Sequence, residues 1–227
     1  MRFARLVTAA VTAFALAAVA AAQGFDFERV RGDFFAGVAG DAAAMRRGMA
    51  TAKAALDADP KNAQAMVIHG FGTVLSAVPE IQKGNMAAFP TMQLGFDQLD
   101  EAVRLAPEDG LVRALRGIMM QQATRQMPEP ARTRMLENGR TDFQFLFDVQ
   151  QPQLAQLGTH RLGELLQGMG DLHSRLGRTA DAERYYRMIT TMLPESEYAR
   201  RADEWLQTRQ PLSAERTQCI GCHVATR

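Results

Sequence analysis

The chain has 227 residues, 47% of them hydrophobic and 7% aromatic, and its 26 Lys and Arg nearly balance 25 Asp and Glu. That length and apolar content suffice for one domain or an elongated array with a substantial core. A formal charge of +1 excludes a strongly basic nucleic-acid binder and an acidic tail, while abundant Ala and Met with few aromatics favour helix.

In chain order, Arg2 and Arg5 precede an uncharged run from Leu6 to Ala22 that closes on Ala18-Val19-Ala20 and Ala20-Ala21-Ala22. A basic start, an apolar middle and a small-residue exit form the layout of a secretory signal peptide, assigned here to residues 1–22. A retained membrane anchor is the alternative. About 17 residues lies at the lower limit for spanning a bilayer, and the small-residue exit favours cleavage. The expected location is periplasmic or secreted. No second uncharged stretch of that length follows, so no membrane span is expected after signal removal.

Residues 23–210 read as a helical domain. Proline, glycine and capping residues predict helices over 25–38, 41–57, 62–77, 90–105, 109–126, 130–149, 159–176, 178–192 and 196–209. Asp41 and Asn62 are the expected N-caps, and Gly177 is the expected turn between two paired helices. No run alternates apolar and polar residues long enough to argue a strand.

A repeat is visible in this domain. Pro60 is followed by Gly70, and Pro107 by Gly117, at the same ten-residue interval. Gly170, Gly177, Ala182, Tyr186 and Pro194 follow at intervals of seven, five, four and eight. These intervals resemble the tetratricopeptide repeat, over roughly residues 41–208. That resemblance implies an all-α, irregular solenoid of helical hairpins, in which small residues allow close approach, an aromatic fills the space beside them and proline stops the second helix. Pro60 and Pro107 are 47 residues apart, longer than one 34-residue repeat, which predicts an insertion between Ala77 and Phe89. Pro128-Glu129-Pro130 breaks the next interval.

The resemblance also places Gln64, Val67, Phe71, Val74, Leu111, Ala114, Ile118, Gln121, Glu164, Gln167, Asp171 and Ser174 on the inner surface. None of them is Lys or Arg, so a clamp for a partner's terminal carboxylate is not supported. Arg200, Arg201 and Arg209 on the last helix read as solvated.

Residues 211–227 carry the chemistry. The only two cysteines are Cys219 and Cys222, and His223 follows directly in Cys219-Ile220-Gly221-Cys222-His223. This C-x-x-C-H run is the c-type haem attachment pattern. A redox C-x-x-C would want a βαβ setting, which is not visible here. A zinc site would want four ligands, and a plain disulfide leaves His223 without a role. Over these five residues the chain resembles c-type cytochromes. The resemblance implies one covalent haem c held by thioethers at Cys219 and Cys222, with His223 as the proximal ligand to iron.

The sixth ligand is open among His69, His160, His173 and twelve methionines beyond Met1. His173 is the named candidate, and simple packing of its ring on the repeat's first helix is the reading beside it. There is no phosphate loop, H-E-x-x-H or G-x-S-x-G, and no enzyme is expected.

The expected function is one-electron transfer by an exported monohaem cytochrome. Its helical scaffold would dock a protein redox partner or membrane complex, and no nucleic acid is expected to bind. Two alternatives stand beside it. One is a repeat scaffold or assembly protein with a secondary haem. The other is a gas-binding haem protein of the class II, cytochrome c′-like kind, to which an Arg four residues after the motif's His, here Arg227 after His223, bears a local resemblance.

Overall fold

A computed structural model describes residues 25–125 and 127–213. The expected signal peptide and the C-x-x-C-H run lie outside the described residues.

Among the described residues the protein is all-α, with nine α-helices. They are α1 (Phe27–Val38), α2 (Ala42–Ala58), α3 (Ala63–Gln82), α4 (Phe89–Leu105), α5 (Gly110–Ala123), α6 (Ala131–Gln150), α7 (Gly158–Arg175), α8 (Thr179–Met192) and α9 (Glu197–Thr208). Short 3₁₀ turns cover Met86–Ala88 and Gln151–Gln156.

The starts are set by side-chain caps. Asp41 Oδ1 accepts from the Ala43 and Ala44 amides at 2.9 and 3.0 Å. Asn62 Oδ1 accepts from Ala65 at 2.9 Å. Asp109 and Ser196 do the same for α5 and α9. Each cap satisfies orphan amides of the first turn, and its loss typically costs about 1 kcal/mol. Gly177 turns α7 into α8 at φ +74°, the left-handed region that glycine enters without strain.

One element departs from the sequence expectation. α3 does not end at residue 77 but continues through Pro79 to Gln82. Proline removes one amide from the ladder near the helix end, yet apolar packing by Val78 and Ile81 favours another turn. The insertion between Ala77 and Phe89 is therefore one added helical turn, a loop and a 3₁₀ turn.

Helices pack on their sequence neighbours. α1 pairs with α2, α3 with α4, α5 with α6 and α7 with α8, while α9 lies on α8. In addition α1, α3, α5, α7 and α9 each touch the next in that series.

Two buried clusters result. One gathers Phe34, Ile68, Phe71, Phe96, Leu99 and Met120 from α1–α5. The other gathers Phe143, Leu166, Tyr185, Tyr186, Tyr198 and Trp205 from α6–α9. Tyr186 stacks on Trp205 with centroids 4.6 Å apart, a pairing worth about 1 kcal/mol beyond its area burial. Packing extends past residue 210, because Leu212 is buried in the second cluster. Arg201 is also buried, in contrast to the solvated position expected for it, with Glu197 at 3.4 Å and its guanidinium over the Tyr198 ring.

Candidate functional site

Cys219, Cys222 and His223 lie outside the described residues, so the site is approached through the chain that leads to them. Leu212 is pinned at two points. Its side chain is in the core, and its carbonyl accepts from Arg125 Nη1 at 3.0 Å.

Arg125 is held in turn by Asp171 of α7, a carboxylate fully removed from solvent. Arg125 Nη2 lies 3.3 Å from both its oxygens, Gln121 Nε2 donates to it at 2.8 Å and Arg175 Nη1 approaches to 3.5 Å. Arg175 also donates to the Gln121 carbonyl at 2.7 Å and to Thr124 Oγ1 at 2.6 Å. Burial, with repulsion from Arg125 and partial relief from Asp171, holds the Arg175 pKa below the ordinary arginine value. A buried charge cluster of this kind persists only when its hydrogen bonds are satisfied, and it fixes the geometry of what it ties together. Here it ties the C-terminal ends of α5 and α7 to the chain leaving α9.

Beside Arg125 opens a pocket of about 320 Å³. Its walls are Val78 and Ile81 from the end of α3, Phe89 and Met92 from α4, and Met119 and Met127 from α5 and the turn after it, with Arg125 at its edge. Phe89 is 44% exposed, and nearby Met86 is 60% exposed. The pocket shares Leu75, Met119 and Gln122 with a wider groove of about 890 Å³ that runs across α1, α3, α5 and α7. Apolar walls with thioether sulfurs suit one face of a porphyrin, whose apolar ring needs cover and whose iron accepts soft or imidazole donors.

The wider groove revises the inner-surface expectation. Phe71, Ala114, Ile118, Gln121 and Glu164 do line it. Val67 and Val74 instead point into the core, 0% and 1% exposed. α1, which the repeat pattern did not include, supplies Phe35 and Arg31, and α7 adds Arg161, so basic residues do line the groove.

The three described histidines are placed as follows. His69 Nδ1 meets Gln98 Oε1 at 3.0 Å, and His160 Nδ1 meets Tyr198 Oη at 3.1 Å in the wall of the wider groove. His173 is 6% exposed and stacks on Tyr185 at 5.5 Å. Both its ring nitrogens are buried without a hydrogen bond, the nearest carboxylate being Asp181 at 3.5 Å. Burial keeps its pKa below the usual histidine value, Asp181 opposes this, and Arg140 and Arg178 add to it. Positions 171 and 173 lie about 200° apart around α7, so His173 faces away from the Asp171 side where the chain leaves.

Comparison with known protein families, curated proteins and solved structures gave no match. Among the described residues no helix is long and apolar enough to cross a membrane.

Proposed function

We propose that the chain is an exported monohaem c-type cytochrome that transfers single electrons, and that its helical domain docks a redox partner. The observation that carries this reading is Cys219-Ile220-Gly221-Cys222-His223. Bound haem c supplies a ferric/ferrous couple that takes one electron from a reduced redox protein and gives it to an oxidised one. In this chain Cys219 and Cys222 hold the haem, His223 ligates the iron, and the Arg125–Asp171 cluster sets where the carrying segment leaves the helices. The wider groove, apolar along Phe35, Phe71 and Ile118 with Arg31 and Arg161 among its lining residues, supports the docking role.

The helical domain is read as an irregular tetratricopeptide-like solenoid. Successive hairpins support this, as do the contacts that link each first helix to the next. The Gly170 site adds to it, since a Cβ there would lie 2.8 Å from the Tyr186 ring.

Mass spectrometry of denatured protein, matured in cells able to attach haem, tests the reading. Thioether bonds survive denaturation, so one added haem is expected, and changing both cysteines to Ser should abolish it. An apo mass from such cells overturns the reading. A high-spin iron that binds carbon monoxide readily would transfer the function from electron transfer to gas binding.

A further inference from the structure

We propose that the wider groove is a binding site for a single-chain fatty acid, whose carboxylate meets Arg161 of α7 and whose tail lies along α5 toward the small pocket between α3, α4 and α5. Such a site goes beyond the docking role given to the groove above, competes with it for the same apolar walls, and does not depend on the haem.

The groove is polar at one end and apolar at the other. Along α1 its wall begins with Glu28 and Arg31 and continues with Phe35 and Val38, and along α7 it begins with His160, Arg161 and Glu164. Helices α1, α3, α5 and α7 are the first members of successive hairpins, so they run the same way and their starts lie at the same end. The far end holds Leu75 and Met119, which also wall the small pocket, so the apolar surface continues to Val78 and Ile81.

One charge at the polar end is left over. Arg31 pairs with Glu28 at 3.1 Å, and Glu164 accepts from Tyr198 Oη at 2.6 Å. Arg161 lies three residues before Glu164, yet among the described residues it makes no hydrogen bond or ion pair. A guanidinium at the mouth of an apolar groove matches a carboxylate, which it holds through two parallel N–H donors.

The dimensions suit one acyl chain. From Glu28 to Val38 the wall runs about 15 Å, the depth that acyl chains fill in one leaflet of a bilayer. The volume of about 890 Å³ falls in the range of small-ligand sites, and Gly110 and Ala114 on α5 leave room for a chain. Phe71, Ala114 and Ile118 line the middle of the groove, and none of their side chains carries a polar atom. A peptide would bring amides and carbonyls that need partners to that stretch, whereas an acyl chain brings only methylenes.

Titration calorimetry on the full chain, stripped of lipid, tests the site with hexadecanoate and with hexadecanol, which has the same tail without the carboxylate. Hexadecanoate should bind once per chain, and hexadecanol about tenfold more weakly. R161Q should weaken hexadecanoate about tenfold, the effect of one charge-assisted hydrogen bond, and leave hexadecanol unchanged. A114F, which puts a ring into the groove, should weaken both ligands by about tenfold or more while helical circular dichroism is kept. R134Q removes an exposed arginine of α6 outside the groove and should bind as the wild type does. Absence of saturable hexadecanoate binding overturns the proposal, as does equal binding of acid and alcohol, or wild-type binding of hexadecanoate by R161Q or by folded A114F. Arg161 is exposed, so R161Q keeps the test decisive if A114F does not fold. None of these outcomes alters the haem mass, so the two readings fail separately.

Discussion

The two halves of the domain solve the packing of helical hairpins differently. In α6–α9 the helices stand off from each other around rings: Phe143 fills the space over Gly168, Tyr198 that over Gly163, and Tyr186 that over Gly170. In α1–α5 two helices meet backbone to backbone. A Cβ on Gly70 would lie 2.9 Å from the Gly95 carbonyl oxygen, and one on Gly95 would lie 2.8 Å from that of Gly70. Around that contact the core is filled by Met92, Met119 and Met120 together with Phe34, Phe71 and Phe96. The small pocket lies entirely in this first half and its turn to α6, and the wider groove has α1, α3 and α5 among its walls.

The largest effect should come from the seam between the halves. Asp142 of α6 is fully buried and accepts from Arg113 at 2.8 Å and from Arg116 at 2.7 and 2.8 Å. Burial alone would lower the Arg116 pKa, but Asp142, with help from Asp100, raises it above the ordinary arginine value. D142A leaves a buried guanidinium short of its partner, so a loss of about 3–5 kcal/mol is expected in urea unfolding. The single transition should then divide into two, one for each half. A loss below about 1 kcal/mol would show that the seam does not join them.

Next, G95A should cost about 3 kcal/mol, the upper end of overpacking, because the new methyl meets backbone that cannot yield. G170A meets a side chain, the Tyr186 ring, rather than backbone, and should cost less, about 1 kcal/mol. Equal losses in thermal unfolding would erase the distinction between the halves.

Y186F works in the opposite direction. The Tyr186 hydroxyl is buried with no hydrogen-bond partner, so its removal should stabilise the protein by about 1 kcal/mol. Destabilisation would mean that the hydroxyl makes a bond after all.

The smallest effect is a pH slope. Burial favours neutral His173 in the folded protein, so its folded pKa lies below 6.5. As pH falls below 6.5 the unfolded chain binds this proton first. Stability is then lost from pH 6.5 down toward the folded pKa, and the full contribution is present above 6.5. Denaturation midpoints should fall over that window in the wild type and less so in H173F. Identical slopes would place the ring in a wetter site than the α7–α8 core.

Nine helices were legible because their punctuation is local. Asp41 and Asn62 cap, Gly177 turns, and each acts within a few residues of itself. The extra turn of α3 was not legible, since Pro79 reads as a stop and only packing of Val78 and Ile81 overrides it. The inner surface was half legible. Phe71 and Ile118 follow from helical spacing, but Arg31 belongs to a helix outside the repeat pattern. The Arg125–Asp171–Leu212 cluster was hidden because its members are 46 and 87 residues apart in sequence. Arg125 carries no local mark that separates it from a solvated arginine.

That separation has a consequence in time. Almost all the helix packing is between neighbours in sequence, the kind of topology that forms quickly from local encounters. The link from Arg125 to Leu212 is of the other kind, spanning 87 residues. It cannot close until α5, α7 and α9 are already assembled around Asp171. The helical stack is therefore expected to be complete before Leu212 docks against it, so this contact is the last to form.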